Sequence, residues 1–118
     1  MHNCNFKRLD LEQGTDEWLA WRDCGTGASE VRTIEGKSKY KTRWQLWAEK
    51  LGIKLPDDLT KNPHVRRGNY FEPLVRTTVE QKFGEPIDVF CGEDIDHKWR
   101  KVSFDGVLRQ QNAPVEIK

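Results

Sequence analysis

Apolar and polar positions follow two different rhythms along the chain, and the change comes near Phe83-Gly84. Upstream of it the spacing is helical. Thr15 is placed to cap a short helix through Trp18, Leu19 and Trp21 that ends near Cys24-Gly25, where the glycine suits a left-handed terminus. A second short helix is expected to begin around Thr26 to Ser29. Thr42-Arg43-Trp44-Gln45 has the form of a capping box, and Trp44, Trp47, Ala48 and Leu51 then fall at i, i+3, i+4 and i+7 before Gly52. That spacing predicts a helix whose tryptophans face the core and not a base-stacking surface. Pro56 to Pro63 reads as a polar loop. Asn62-Pro63 then opens a helix through Leu74, Val75, Val79 and Phe83, which Pro73 should kink, or else the true start lies near Asn69.

After Gly84 the chain reads as strands at Pro86 to Cys91, Lys98 to Phe104, Val107 to Arg109 and Pro114 to Lys118, with Asn112 among the turn residues. Helices followed by an antiparallel run of strands predict an α+β fold, with helices covering one face of a sheet. At 118 residues the chain is one domain, residues 1–84 forming its helical part and 85–118 its strands.

Composition narrows the function classes. One-third of the residues are charged and five are tryptophan, the profile of a folded globular protein and not a disordered tail. A formal net charge of +1 means that any nucleic-acid contact must come from a local basic patch. Cys4, Cys24 and Cys91 are too widely spaced for a zinc ribbon or redox pair and odd in number for a disulfide scaffold, as suits thiols in a reducing cytosol. No apolar run approaches the ~18 residues of a membrane span and no signal peptide opens the chain, so a cytoplasmic location with no membrane association is expected.

The chemistry concentrates at Ser103-Phe104-Asp105-Gly106 and at Glu116-Ile117-Lys118, eleven residues beyond the aspartate. Strand side chains alternate, so Ser103 and Asp105 share one face and Val102 and Phe104 the other, while Glu116 and Lys118 share a face opposite Val115 and Ile117. If the two strands pair through a turn at Gln110 to Ala113, the polar faces coincide. Asp105, Glu116 and Lys118 then converge. Carboxylate oxygens are the hard ligands Mg²⁺ prefers, a bound ion can acidify water and neutralise a scissile phosphate, and an ammonium beside them can orient the attacking hydroxide. A plain strand face carrying a surface ion pair is the alternative on spacing alone.

Four blocks in order strengthen the first reading: Gln13-Gly14-Thr15-Asp16-Glu17-Trp18 with Arg22, Gly27-Ala28-Ser29, Gly68-Asn69-Tyr70-Phe71-Glu72-Pro73, and Ser103 to Gly106 with Glu116 to Lys118. In this arrangement the chain resembles the phage lambda exonuclease, or YqaJ-like, recombination nucleases of the PD-(D/E)XK superfamily. The resemblance implies a restriction-endonuclease-like core with helices packed on a central mixed sheet. It implies Mg²⁺ (Mn²⁺ as substitute) bound by Asp105 and Glu116, Lys118 as a catalytic residue and Glu72 completing the acidic cluster. It also implies a 5′-phosphate pocket of Arg22, Ser29 and Ser103. Glu72 has a bland alternative as an i, i+4 surface partner of Arg76, and Arg22 as an arginine packed on Trp18. An arginine fork, and free N–H groups at a helix starting near Thr26, independently suit a phosphate.

The implied activity is digestion of one strand of linear double-stranded DNA from its 5′ end for phage recombination. Double-stranded DNA ends, a single-strand annealing protein and two further copies in a trimer are the implied partners. A restriction- or repair-type endonuclease and a non-catalytic DNA-binding or assembly module are the alternatives. The family usually has Thr and Pro where Gly27 and Phe104 stand, and it continues past the point corresponding to Lys118 with a helix and strand. The expectation is therefore a domain incomplete at its C-terminus, folded but inactive and prone to self-association. Lys61, Arg66, Arg67, Arg100 and Lys101, and the denser run Lys37, Lys39, Lys41 and Arg43 with Tyr40, read equally as a DNA track or as solvated charge.

Overall fold

A computed structural model describes residues 5–117, so Lys118 and the residues before Asn5 lie outside the described residues. The fold is α+β, with helices and strands alternating early and strands dominating after Gly84. The residues divide into two compact units, one formed by the chain through Pro56 with Cys91–Ser103, the other by Asp57–Phe90 with the chain from Phe104 onward.

In the first unit a mixed sheet has the order β1-β4-β5-β2. Strand β1 (Phe6–Leu9) runs antiparallel to β4 (Cys91–Asp94), β4 antiparallel to β5 (Arg100–Ser103), and β2 (Thr26–Gly27) parallel to β5. Helix α1 (Asp16–Asp23) starts where Thr15 places it, the Thr15 hydroxyl accepting the Trp18 N–H at 3.3 Å. Gly25 after α1 serves close approach and not a left-handed turn: a Cβ there would collide with the Trp99 carbonyl and the stem of Lys101. The helix expected to begin at Thr26 starts later. The Thr26 N–H bonds the Trp99 carbonyl at 2.6 Å as part of β2, and a 3₁₀ turn (Ala28–Glu30) then leads into α2 (Val31–Ile34).

Helix α3 (Arg43–Lys50) has the expected reciprocal cap, Thr42 Oγ1 accepting from Gln45 N and Gln45 Oε1 from Thr42 N. Its tryptophans are turned outward, Trp44 being 64% and Trp47 52% exposed, while Leu46 and Ala48 are buried. Ion pairs explain the rotation: Glu49 is held by Lys41 at 2.6 Å, and Lys50 is bonded to Glu30 at 3.1 Å and to the Arg22 carbonyl at 3.2 Å. Rotating the tryptophans inward would break these contacts and leave the Glu49 and Glu30 carboxylates without their cations, which is costly for groups so little exposed.

The second unit pairs helix α4 (Pro63–Phe83) with a sheet of order β3-β6-β7, all antiparallel. The Asn62 side chain accepts from the His64 and Val65 N–H groups and Pro63 supplies the first helical residue, so the helix begins there and runs through Pro73 rather than starting at Asn69. Gly84, at φ 69°, ends it. Strands β3 (Ile87–Asp88), β6 (Gly106–Leu108) and β7 (Ala113–Val115) surround a small core of Ile87, Phe90, Val107 and Leu108, with the Phe90 and Phe104 rings 5.2 Å apart. The single strand expected over Pro86 to Cys91 is thus two, β3 and β4, in different sheets.

Buried Glu85 pins the β6–β7 turn by accepting from the N–H groups of Gln110 and Gln111 and from the Gln111 side chain. Asn112 takes the turn's left-handed position at φ 50°. No residue of α4 is fully buried, and Tyr70, Phe71, Leu74, Val75 and Phe83 are exposed. Val115 and Ile117 are half-buried. Among the described residues no helix is long and apolar enough to cross a membrane.

Candidate functional site

The β6–β7 hairpin pairs Gly106 with Val115, so the next positions outward on the two strands are Asp105 and Glu116. The turn at Gln110 to Ala113 therefore does what the spacing requires of it and sets two carboxylate residues at one end of the hairpin. Asp105 is oriented there: its Oδ2 accepts the Ile117 N–H at 3.0 Å, across the strand gap beside Glu116. Gly106 is needed at this corner because a Cβ would meet the Cγ2 of Ile87. Asp105 is half-buried and Glu116 exposed. Lys118 lies outside the described residues.

Glu72 sits on α4 within a network that reaches the same corner. Arg76 Nη2 donates to Glu72 Oε1 at 2.8 Å, the i, i+4 pair that helical spacing allows. The same guanidinium also donates to the backbone carbonyl of Asp105, through Nε at 3.1 Å and Nη2 at 3.0 Å. Among the described residues no three His, Cys, Asp or Glu side chains stand together as a metal cage. Mg²⁺ does not require one, since it keeps several waters and takes only one or two carboxylates. Asp105 and Glu116 are two carboxylates at one end of the hairpin that could serve in that way.

The three residues assigned to a phosphate pocket all belong to the first unit, and side-chain contacts link them. Arg22 Nη2 lies 3.4 Å from Ser29 Oγ, and its guanidinium carbon stands 5.1 Å above the Trp18 ring. Trp18 Nε1 donates to Ser103 Oγ at 2.9 Å. The Arg22–Trp18 packing of the bland reading is thus present, and the same tryptophan ties in Ser103. Cys91 Sγ lies 3.6 Å from that hydroxyl. The backbone part of the expectation is corrected, because the Gly27 N–H is taken by Glu30 Oε1 at 2.7 Å and the Thr26 N–H by Trp99, leaving neither free for an anion. At Gly27 a Cβ would make only ordinary contacts, 3.4 Å from Glu30, 3.9 Å from Ser29 and 4.0 Å from Arg22, so the position has room for a side chain.

Lys101 does not track a DNA backbone. It is buried, bonded to Glu93 at 2.9 Å with its ammonium 4.7 Å from the Trp21 ring centroid. Trp21 Nε1 donates to the same Glu93 oxygen at 2.9 Å. The Lys101 hydrogen bond and that of Trp21 hold the Glu93 carboxyl below its usual range despite burial. Lys41 is likewise turned inward to Glu49, and Lys37 pairs with Glu35 at 3.5 Å. Tyr40 and Lys39 remain exposed in that run, as do Lys61, Arg66 and Arg67 in the second unit. Arg76 lies outside the four matching blocks, and helical spacing alone accounts for it by Glu72; Trp18 closes the first block, but nothing in that block points to its bond with Ser103.

The protein YqaJ of Bacillus subtilis (strain 168), described as uncharacterized, is 32% identical to this chain over 76 residues, which cover 64% of the chain and 24% of that relative. The match thus spans about a quarter of the relative's length. The family described as the YqaJ-like viral recombinase domain matches residues 17–118, a stretch holding Arg22, Ser29, Glu72, Ser103, Asp105 and Glu116. Most of the chain, with both sets of chemistry-bearing residues, follows that pattern, and the chain belongs to the YqaJ-like viral recombinase domain family.

Proposed function

We propose that the protein carrying this domain is a Mg²⁺-dependent deoxyribonuclease that digests linear double-stranded DNA from 5′-phosphorylated ends in phage-type recombination. The observation that carries the reading is the hairpin register that sets Asp105 beside Glu116, with the Asp105 carboxylate turned onto the Ile117 N–H. In this reading Asp105 and Glu116 hold the ion, Glu72 adds acidic charge, and Lys118 orients the attacking water. A bound divalent ion supplies an acidified water and neutralises charge on the scissile phosphate.

Arg22 offers a planar fork to the terminal phosphate, and the Trp18 ring beneath it holds that fork in place. The Ser103 oxygen accepts the Trp18 N–H, so its own hydrogen is available to donate to a phosphate oxygen, and Ser29 supplies a second hydroxyl beside Arg22.

Asp105→Ala and Glu116→Ala in the full polypeptide should abolish Mg²⁺-dependent cleavage, and Lys118→Ala should do so with metal binding largely retained. Duplex with 5′-phosphate should be digested faster than duplex with 5′-hydroxyl, and Arg22→Ala should narrow that difference. Full activity in Asp105→Ala or Glu116→Ala overturns the metal assignment, and full activity in Lys118→Ala overturns the role given to the lysine. Equal rates on both ends, or efficient cutting of closed circles, replaces the exonuclease with an endonuclease. Absence of Mn²⁺ and Mg²⁺ binding leaves a non-catalytic module.

A further inference from the structure

We infer that Arg76 is the positioning residue of the metal end, holding Glu72 and the Asp105 corner of the hairpin in one geometry; the inference rests on the function proposed above. Three hydrogen bonds from one guanidinium converge there, two on the Asp105 carbonyl and one on Glu72 Oε1. The Arg76 side chain is only 20% exposed and that of Glu72 32%, so this is a packed fork and not a solvated helix pair.

The fork does two things that a lysine cannot. Its planar donors reach a backbone carbonyl and a carboxylate at once, so the helix and the start of β6 are joined at a single point. The Asp105 carbonyl, fixed by Nε and Nη2, sets the direction in which the rest of that residue leaves the chain, and its carboxylate is tied in turn to Ile117 N beside Glu116. Glu72, Arg76, Asp105 and Ile117 thus form one continuous chain of contacts. Glu72 keeps Oε1 on the arginine, which holds its carboxylate close to the Asp105 corner. Partners of this kind behind ligating groups commonly change metal affinity by about 10–100-fold when removed.

The test is Mn²⁺ binding to the full polypeptide, followed by the electron paramagnetic resonance signal of the free ion, with circular dichroism as the control for folding. Arg76→Ala should weaken Mn²⁺ binding by about ten-fold, and Arg76→Lys, which keeps the charge without the fork, should recover only part of it. Unchanged affinity in a folded Arg76→Ala variant overturns the inference. Where Arg76→Ala does not fold, Arg76→Lys decides: several-fold weaker binding supports positioning, and unchanged binding overturns it. Asp105→Ala separates this inference from the reading on which it rests. Lost binding in Asp105→Ala with unchanged binding in Arg76→Ala removes only the role of Arg76, whereas unchanged binding in Asp105→Ala removes the metal site itself.

Discussion

Lys101→Met tests whether the strand that presents Ser103 is held by a buried ion pair. The Lys101 side chain is 5% exposed and that of Glu93 16%, and without the ammonium Glu93 still keeps the Trp21 N–H as a donor. Removing one member of a buried pair typically costs about 3–5 kcal/mol because the other charge stays behind; with Trp21 still donating and some solvent access, about 2–3 kcal/mol is the expected loss. Methionine keeps the apolar stem against Gly25 and the Trp21 ring, so packing contributes little to that figure. For a domain of this size the loss corresponds to roughly 10 °C in Tm. Glu93→Gln in the same chain removes the stranded charge while leaving an acceptor for Trp21, and the double variant should recover most of the stability. Urea unfolding followed by tryptophan fluorescence measures both. A Lys101→Met chain within ~0.5 kcal/mol of the parent, or a double variant no more stable than Lys101→Met alone, would refute the reasoning.

The same carboxylates make the fold acid-sensitive. Glu93 is held below its usual 4.5 by Lys101 and Trp21, and Glu85, which burial alone would raise, is held below it by Gln111 and the Gln110 and Gln111 N–H groups. A carboxyl depressed in the folded state contributes stability that is complete above 4.5 and is lost as pH falls through the folded value, so the urea midpoint should drop below pH 4.5 and Glu93→Gln should flatten that drop. A midpoint constant between pH 5 and 3 would contradict this. Gly106→Ala should cost about 1–3 kcal/mol by driving its methyl into Ile87, and because Ile87→Ala removes the overlap, the double variant should lose less than the sum of the two single losses, with thermal melts as the measure. Trp18→Phe keeps a ring beneath Arg22 but loses the donor to Ser103. It should reduce the preference for 5′-phosphorylated duplex by roughly 2- to 10-fold without changing Mn²⁺ affinity, and an unchanged preference would show that the Trp18 bond does not position Ser103 for the phosphate.

What could be read in the sequence were features whose partners lie within a helical turn or a tight hairpin. Thr15, the Thr42–Gln45 box, Asn62-Pro63 and Gly84 mark helix ends because each acts on residues two to four positions away. The β6–β7 hairpin was legible because a short turn with Asn112 in its left-handed place leaves little choice of register. Helix α3 defeats periodicity for a physical reason. Its apolar stripe of Trp44, Trp47 and Leu51 competes for the inner face with Glu49 and Lys50, whose partners Lys41, Glu30 and the Arg22 carbonyl come from elsewhere in the unit, and the ion pairs win. Strand β2 escaped because two residues following a glycine have no alternation to read, and Lys101 because nothing in its neighbours announces that Glu93 and Trp21 enclose it.

The candidate site divides along the same line. The residues proposed to meet a ligand stand in short local strings, Asp105 directly before β6 and Glu116 directly after β7, so the hairpin register alone brings them to one end. Groups that hold them in place are selected by proximity in space. Arg76 meets the Asp105 carbonyl across 29 positions of chain, and Trp18 meets Ser103 across 85. Neither helical nor strand spacing has a signature for such a bond, so an arginine that ties a helix to a hairpin corner and one that merely solvates a helix face look alike until the backbone carbonyl it reaches is known.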